Sequence, residues 1–479
     1  MAVWVESFEE YAQNLLSKAK ITGAAVGLAE QGQLEYFHGF GLADDTADAQ
    51  ELTADTVFGI GSVTKSFTCV AIMQLQEAGK LNVHDPVRTY IPELRTPNEA
   101  FTREMTIHHL MTHTAGFPPL DTLVGAMKNS MAEEAADRSF SSGLQWDVEK
   151  AEAIETKEEM LAYLAKLDYE LLGAPGEQFS YSNDSYALLG VIIERVSGST
   201  YEQFVHENIL APAGMTHSAF LIEELPADAQ VATLFTRKSP EDGGDVYRSP
   251  SWWDAPAMRS AGFLKSTIRD LLRYTELFRT GGLVGDKRLL SEASVKAMTT
   301  PHAPLSPFQG YGYGLMIGTD CHGGTLVEHG GAIKGVSAQI FAIPERNLTG
   351  AILMNVDGAP VTDLMHGLLN AKNGKPAATP PFPYADYELP PERFAAYAGE
   401  YRSSEGANIT VAIEENALVL KAMGATVPLR PVGEDGFVWK RGETDSYIHF
   451  YRDEAGTISR MGFGFRQLPK ILVGTEQKV

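Results

Sequence analysis

A serine and a lysine three residues apart, Ser62 and Lys65, form the first pattern that could carry chemistry. They follow Gly59-Ile60-Gly61 and enter an apolar run at 63–78, which has helical character and ends at Gly79. A serine at a helix N-terminus lies beside unpaired backbone N–H groups, which favour developing negative charge. Because positions i and i+3 share a helix face, Lys65 can take the serine proton once burial or a nearby cation lowers the lysine pKa. The pattern indicates a serine nucleophile; the alternative is an N-cap serine with an exposed lysine.

The second pattern is Tyr181-Ser182-Asn183, in a loop before a helix predicted to start near Asp184. A tyrosine can exchange a proton with a serine oxygen, and an asparagine side chain can bind a substrate amide. The alternative interpretation is a turn in which Asp184 caps the helix.

The third pattern is His329-Gly330-Gly331, between a strand predicted at 325–328 and Ala332. Paired glycines on an edge strand let a substrate backbone approach and add to the sheet. A similar His322-Gly323-Gly324 falls in the predicted turn between two strands, so we assign the role to the later copy. The serine–lysine pattern also has a second copy, Ser17-Lys18, at the polar end of an amphipathic run.

In this order, the three patterns resemble the motifs of the serine β-lactamase and penicillin-binding-protein superfamily. Tyr181 is typical of the class C-like branch, which includes β-lactamases, DD-peptidases, D-aminopeptidases and esterases. Histidine in place of lysine in the third motif favours a peptidase or esterase over an efficient β-lactamase. The resemblance covers about residues 6–370 and includes supporting segments at 58–61, 110–116, 173–176 and 260–264.

The resemblance implies a mechanism. Ser62 would attack a carbonyl, Lys65 and Tyr181 would share the proton transfers, and an acyl-enzyme would form and be hydrolysed. The backbone N–H groups of Ser62 and Ala332 would form the oxyanion hole. Which of Lys65 and Tyr181 is the general base stays open.

The resemblance also assigns substrate-binding residues. Asn183 would bind the acyl-side amide, with Gly330 and Gly331 beside the substrate. His329 would orient Tyr181 or hold a substrate carboxylate or carbonyl. We expect no cofactor and no metal, because the histidines that suggest a metal site, His108, His109 and His113, lack an evident further ligand.

The predicted elements and the resemblance give an α/β (α+β) fold. A β-lactamase/transpeptidase-like antiparallel sheet is flanked by helices, with a helical subdomain between about 82 and 300. The predicted sheet and helix boundaries are a hairpin at 24–29 and 34–40, strands at 313–317, 325–328, 336–343 and 348–354, and helices at 6–20 and 361–372.

Proline density divides the chain. Six of the 25 prolines lie at 375–391, which indicates a stiff extended linker. We therefore predict a serine hydrolase domain at 1–374 and a small all-β domain at 392–479. The segment 397–401 and the alternating strands after it resemble the lipocalin-like domain of some related peptidases. Such a barrel can restrict access to the active site or support oligomerisation; the alternative is a passive appendage.

Composition excludes several classes of protein. With 39 basic and 62 acidic residues, a net charge of -23 argues against nucleic-acid binding. Two cysteines argue against a disulfide scaffold or a cysteine-built zinc site. Without an apolar run of about 18 residues or a basic, apolar N-terminal leader, we expect neither a membrane span nor a secretory signal, and predict a cytoplasmic protein.

These observations favour a metal-free serine hydrolase that cleaves amide bonds of small peptides, with D-amino-acid-containing peptides as the favoured substrates. One alternative is a carboxylesterase or weak β-lactamase that uses the same residues. The other is a non-catalytic oligomeric scaffold, assembled through the barrel and an acidic insertion at 119–155. The expected partners are a small peptide or ester substrate and further copies of the chain, bound through the C-terminal domain.

Overall fold

A computed structural model describes residues 2–46, 48–131, 148, 150–237, 245–249, 251–422, 424–442 and 444–471. Most of the centre of the predicted insertion at 119–155 lies outside these residues. The described α-helices are α1 Val3–Lys18, α2 Thr64–Glu77, α3 Glu99–Glu104, α4 Ile107–Met111, α5 Thr122–Met127, α6 Lys157–Lys166, α7 Asn183–Ser197, α8 Tyr201–Val205, α9 Ile268–Thr280, α10 Glu292–Met298, α11 Val361–Lys372 and α12 Phe394–Tyr397.

The large sheet is antiparallel and follows the order β2-β1-β14-β13-β12-β11-β10-β9. Its described strands and the short strands between them are β1 Gly23–Glu30, β2 Gln33–Gly41, β3 Phe58–Gly59, β4 Phe235–Arg237, β5 Val246–Arg248, β6 Lys265–Ser266, β7 Leu283–Val284, β8 Lys287–Arg288, β9 Ala303–Ser306, β10 Gln309–Tyr311, β11 Met316–Cys321, β12 Gly324–Ile333, β13 Val336–Ile343 and β14 Leu348–Met354. The predicted hairpin, the strands at 336–343 and 348–354 and the helix at 361–372 are confirmed.

Helices cover both faces of this sheet, so every residue of β13 is buried. On one face, α1 and α11 pack through side chains such as Phe8 and Leu368. On the other face, α9 and the helical layer around α2 and α7 contribute residues such as Ile268 and Val70. This arrangement confirms the expected β-lactamase/transpeptidase-like fold.

The boundaries of β11 and β12 differ from the prediction. The strand predicted at 313–317 begins at Met316, because residues 312–315 form a turn in which the Gly312 N–H donates to the Leu315 carbonyl. His329, Gly330 and Gly331 lie inside β12 rather than after a strand. β12 pairs with β13 through Ile333, but its described pairing with β11 stops at Glu328. The second half of β12 is therefore an open edge toward β11 within the described residues.

A second antiparallel sheet forms a nearly closed barrel, in the order β18-β17-β16-β15-β23-β22-β21-β20-β19. Its interior holds aromatic and aliphatic side chains such as Tyr401, Leu420 and Phe450. The barrel fits the expected lipocalin-like domain. Its described strands are β15 Gly399–Arg402, β16 Asn408–Glu414, β17 Ala417–Ala422, β18 Ala425–Pro428, β19 Arg430–Pro431, β20 Gly436–Arg441, β21 Thr444–Arg452, β22 Ile458–Phe463 and β23 Arg466–Ile471.

The proline-rich segment at 375–391 lies against the barrel. Its Tyr387 N–H donates to the Pro431 carbonyl, and Arg430 donates to the Tyr384 carbonyl. The domain boundaries at 374 and 392 stay predictions. None of the described helices has the length and apolar character needed to cross a membrane.

Candidate active site

Ser62 lies in a short 3-10 turn, Gly61–Val63, directly before α2. α2 starts after Val63 without a side-chain cap, so Ser62 is not the N-cap of this helix. The turn packs against β12 through two glycines. Gly61 has φ +48°, and a methyl group placed on it would lie 2.7 Å from the Ala332 nitrogen. A methyl group on Gly331 would lie 1.9 Å from the Ile60 carbonyl oxygen, so only glycine permits this approach.

Lys65, the second residue of α2, is fully buried. Its Nζ lies 3.2 Å from Ser62 Oγ, as the i, i+3 spacing predicts. The same nitrogen lies 2.8 Å from Asn183 Oδ1 and 2.6 Å from the Ala261 carbonyl oxygen. Burial, assisted by the nearby Arg466 guanidinium, holds the pKa of Lys65 well below its ordinary value. Lys65 therefore has three polar neighbours, and its neutral form is more accessible than that of an exposed lysine.

Tyr181 and Asn183 flank the start of α7. Ser182 caps this helix by accepting a hydrogen bond from the Ser185 N–H, so the alternative interpretation, in which Asp184 caps the helix, is wrong. The ring centre of Tyr181 lies 4.7 Å from Lys65 Nζ. Burial raises the pKa of Tyr181, although a hydrogen bond with Ser62 opposes that rise. The phenol thus stays protonated over the ordinary pH range.

A chain of three buried side chains lies beneath Tyr181. His113 Nδ1 accepts from the Ser182 N–H, which leaves His113 Nε2 to donate to the Tyr311 oxygen, 3.2 Å away. His329 Nδ1 lies 2.6 Å from the Gly330 carbonyl oxygen and donates to it. Tyr311 can then donate to His329 Nε2, at 3.1 Å. Burial and the nearby Lys65 lower the pKa of His329 to about 3, so this hydrogen-bonded series of side chains is neutral.

The barrel supplies a pair of charged residues to the same site. Glu405, between β15 and β16, forms an ion pair with Arg466, the first residue of β23. The Arg466 guanidinium lies 5.2 Å from the centre of the Tyr181 ring. Asn183 Nδ2 is 3.4 Å from Glu405 Oε1. In addition, the Tyr181 N–H donates to the Phe465 carbonyl oxygen at 2.8 Å.

Further hydrogen bonds hold the barrel against the loops that lead to Tyr181. Each joins a side chain of the barrel to a backbone carbonyl of the larger unit. They are Ser404 to Pro119 at 2.7 Å, Arg460 to Leu172 at 3.0 Å and Gln467 to Phe179 at 3.0 Å.

The fold therefore brings Ser62, Lys65, Tyr181 and Asn183 together, with the predicted His329–Ala332 segment beside them on β12. His329 makes its described hydrogen bonds to Tyr311 and Gly330, and its ring centre is 6.3 Å from that of Tyr181.

Sequence reasoning did not assign a role to four residues of this site. His113 lies within the supporting segment at 110–116, which was the only available signal for it. Tyr311, Glu405 and Arg466 stand in strands and turns without a motif.

The three histidines first considered for a metal do not converge. His113 faces Tyr181, with ring centres 4.2 Å apart. His109 Nδ1 accepts from the Thr106 N–H at the start of α4, and His108 bonds to the Tyr313 hydroxyl. The ring contact of His113 and the hydrogen bonds of His109 and His108 thus involve three different residues.

Comparison with known proteins decides the family. The family model described as Beta-lactamase matches residues 8–373. The chain belongs to the beta-lactamase family. A second model, a domain of unknown function, DUF3471, matches residues 386–471.

The relatives of this beta-lactamase-family chain have low sequence identity to it, but the similarity covers most of its length. It is 24% identical to Penicillin-binding protein 4* of Bacillus subtilis (strain 168), over 86% of both chains. It is 24% identical to Protein flp of Staphylococcus aureus (strain N315) over 76% of this chain, and the match spans 65% of that relative's length. The solved structure of an octameric penicillin-binding protein homologue from Pyrococcus abyssi is 28% identical, with a TM-score of 0.68, over 97% of this chain and 100% of that one. The chain therefore has the fold of this family, as expected from the motifs.

Proposed function

We propose that the protein hydrolyses amide bonds of small peptides through an acyl-enzyme on Ser62. The observation that carries this proposal is the position of Lys65 Nζ, 3.2 Å from Ser62 Oγ and buried among polar partners. A neutral lysine has two N–H donors and one lone pair. Asn183 Oδ1 and the Ala261 carbonyl accept the two donors, which directs the lone pair at the Ser62 hydroxyl.

We assign the general base to Lys65 and the proton donor to Tyr181. The lowered pKa of Lys65 favours its neutral form, which can accept the Ser62 proton as the oxygen attacks the carbonyl. The raised pKa of Tyr181 keeps its phenol protonated, so it can donate to the leaving nitrogen. Lys65, which holds the Ser62 proton beside the Tyr181 ring, then returns that proton to the phenolate, and both groups regain their starting states. The two shifts have opposite directions and separate the two roles.

The oxyanion that forms in this reaction would lie between Ser62 and β12. The backbone N–H groups of Ser62 and Ala332 are the proposed donors, and the close packing of Gly61 and Gly331 supports this pairing. The open edge of β12 from His329 to Ile333 offers Gly330 and Gly331 to an extended substrate backbone. Asn183 Nδ2 would donate to the acyl-side carbonyl.

The surroundings favour a peptide over an acyl ester or a β-lactam. Glu405 and Arg466 stand beside Asn183, where a long alkyl chain would need an apolar wall. His329 is neutral and cannot offer the positive charge of the lysine usual in the third motif. The preference for D-amino acids rests on the family resemblance.

The nucleophile can be tested with two serine variants. Ser62→Ala should abolish both turnover and the mass increase seen after reaction with a fluorophosphonate probe. Ser17→Ala removes the exposed serine of the other serine–lysine pattern and should leave both unchanged. Wild-type turnover in Ser62→Ala would show that the nucleophile lies elsewhere.

The substrate class can be tested with the same protein. D- and L-aminoacyl anilides, p-nitrophenyl esters of several chain lengths and a chromogenic cephalosporin would be compared by kcat/KM. We expect the highest values for D-aminoacyl anilides. A preference for long-chain esters would instead support a carboxylesterase.

We also propose that the protein forms a homo-oligomer through its C-terminal domain. The octameric state of the Pyrococcus abyssi homologue supports this, because the similarity covers the whole of that chain. Light scattering during gel filtration should give a mass several times the monomer's 52.1 kDa. A monomer at micromolar concentration would contradict the proposal.

A further inference from the structure

Cys321, His322 and His366 form a second group of reactive side chains, separate from the active site. Their donor atoms, the Cys321 Sγ and one ring nitrogen from each histidine, all lie within 4.8 Å of one another. His322 Nε2 and His366 Nδ1 are 2.8 Å apart. Cys321 is 2% exposed and His366 3%, so the group is shielded from bulk water. A thiol and two imidazoles are the donors that zinc and other borderline-soft ions prefer.

The fold holds these residues on rigid elements. Cys321 ends β11, His322 occupies the turn to β12, and His366 lies in the middle of α11, which packs on the sheet. The turn is unusual because both Asp320 and His322 have left-handed backbone conformations, with φ 51° and 53°. Such conformations cost energy in residues other than glycine and cluster at functional sites. Here the turn carries His322 toward α11.

The chemistry of the donor set suits a metal. Each imidazole can offer a ring nitrogen to a cation, and a bound cation supplies the positive charge that deprotonates a coordinating thiol.

We propose that Cys321, His322 and His366 bind one Zn²⁺ ion that ties the β11–β12 turn to α11, with a fourth position for water. Tetrahedral zinc ligands at about 2.0–2.3 Å from the ion lie about 3.3–3.6 Å from one another. The two ring nitrogens, 2.8 Å apart, would need to separate slightly. The sulfur, within 4.8 Å of both histidine donors, would need to settle at the tetrahedral separation. The group belongs to the face of the sheet that α1 and α11 cover, whereas α2 belongs to the other face. The site is structural and does not depend on the proposed reaction.

Cobalt is a direct probe of this donor set. Full-length protein would be reduced, treated with a chelator and titrated with Co²⁺, and its absorption spectrum would be recorded. We expect one Co²⁺ per chain, with a thiolate charge-transfer band and the visible bands of a tetrahedral ion, and displacement of both by Zn²⁺. Cys321→Ser should lose the charge-transfer band. Cys69→Ser, which changes the other buried cysteine, should keep it.

Three spectroscopic results would overturn the proposal: no charge-transfer band in the wild type, an unchanged band in Cys321→Ser, or binding without a thiolate band at exposed histidines such as His302.

His322→Asn tests whether a ligand variant still folds, because it alters the least buried of the three ligands. Without metal this variant should have the wild-type circular dichroism spectrum. Zn²⁺ should raise the Tm of the wild type and of Cys69→Ser, and should leave the Tm of Cys321→Ser and His322→Asn unchanged. An equal rise in all four proteins would also refute the site.

Discussion

The guanidinium of Arg466 lies 5.2 Å from the ring of Tyr181, although one residue belongs to the C-terminal barrel and the other precedes α7. The charge of Arg466 lowers the pKa of Lys65, and the charge of its partner Glu405 raises it. We therefore expect the barrel to influence the ionisation of the proposed general base, which would make it more than a passive appendage.

Two substitutions in the barrel should move the pH profile in opposite directions. Arg466→Gln removes a positive charge, so the pKa of Lys65 rises and its neutral form appears at higher pH. Glu405→Gln removes a negative charge, so the pKa of Lys65 falls. The acid limb of kcat/KM should shift upward in the first variant and downward in the second, each by on the order of half to one pH unit.

Arg460→Gln is the matched control for this pair. Arg460 also bonds from the barrel to the catalytic unit, through the Leu172 carbonyl, but it is not among the groups that shift the pKa of Lys65. Its pH profile should match the wild type. Shifts of the same sign in Arg466→Gln and Glu405→Gln would contradict the electrostatic role of the barrel.

Lys65→Met should remove the proposed base while filling a similar volume. We expect kcat to fall by about 10²–10⁴-fold, the usual contribution of a positioned acid or base. The rate of labelling by a fluorophosphonate should fall with it. Lys80→Met, at an exposed lysine after α2, should leave both rates unchanged. Retention of most activity in Lys65→Met would transfer the role of base to another group.

Gly331→Ala should damage the proposed oxyanion hole. Its methyl group would collide with the Ile60 carbonyl and push away the turn that carries Ser62. Losing one oxyanion donor costs about 2.7–4 kcal/mol of transition-state stabilisation, so kcat should fall about 10²–10³-fold. Gly318→Ala, in β11, adds a methyl group whose nearest neighbours lie 3.6 Å away, and should be nearly neutral. Comparable kcat values in the two variants would exclude the tight approach of β12 as a requirement for catalysis.

Tyr311→Phe should break the chain between His113 and His329. Two buried ring nitrogens lose their shared partner, so we expect a loss of about 1–3 kcal/mol in the free energy of unfolding. Because His113 packs on Tyr181, kcat should fall as well. Tyr36→Phe, which loses a hydrogen bond to Glu9 far from Ser62 in sequence and in fold, should affect stability alone. Denaturant unfolding and kinetics on the same samples separate the two effects, and an unchanged kcat in Tyr311→Phe would assign that residue a purely structural role.

Local geometry explains which features of the fold and of the candidate site could be predicted from the sequence. Ser62 and Lys65 meet because positions i and i+3 always share a helix face. The helix at 361–372 follows from apolar periodicity, and the strands at 336–343 and 348–354 follow from the apolar runs typical of strands buried on both faces. Prediction was weaker at β12, because Gly330 and Gly331 interrupt the strand pattern while the pairing with β13 carries the strand through them. The sequence did not distinguish Ser182 from Asp184 as the cap of α7, because both residue types are good caps and only the backbone path selects Ser182.

The sequence by itself determined the family, the order of the candidate catalytic residues and the all-β character of the C-terminal region, because these depend on short motifs and local periodicity. Only the tertiary structure decided which residues surround Lys65, and the proton-transfer role that we propose for it rests on those neighbours. Glu405 comes from a turn and Arg466 from the start of β23, both without a motif and more than 200 positions beyond Asn183 in the chain. No local rule links such positions. Their charges act on Lys65 because packing buries them beside it, and burial is a property of the folded chain.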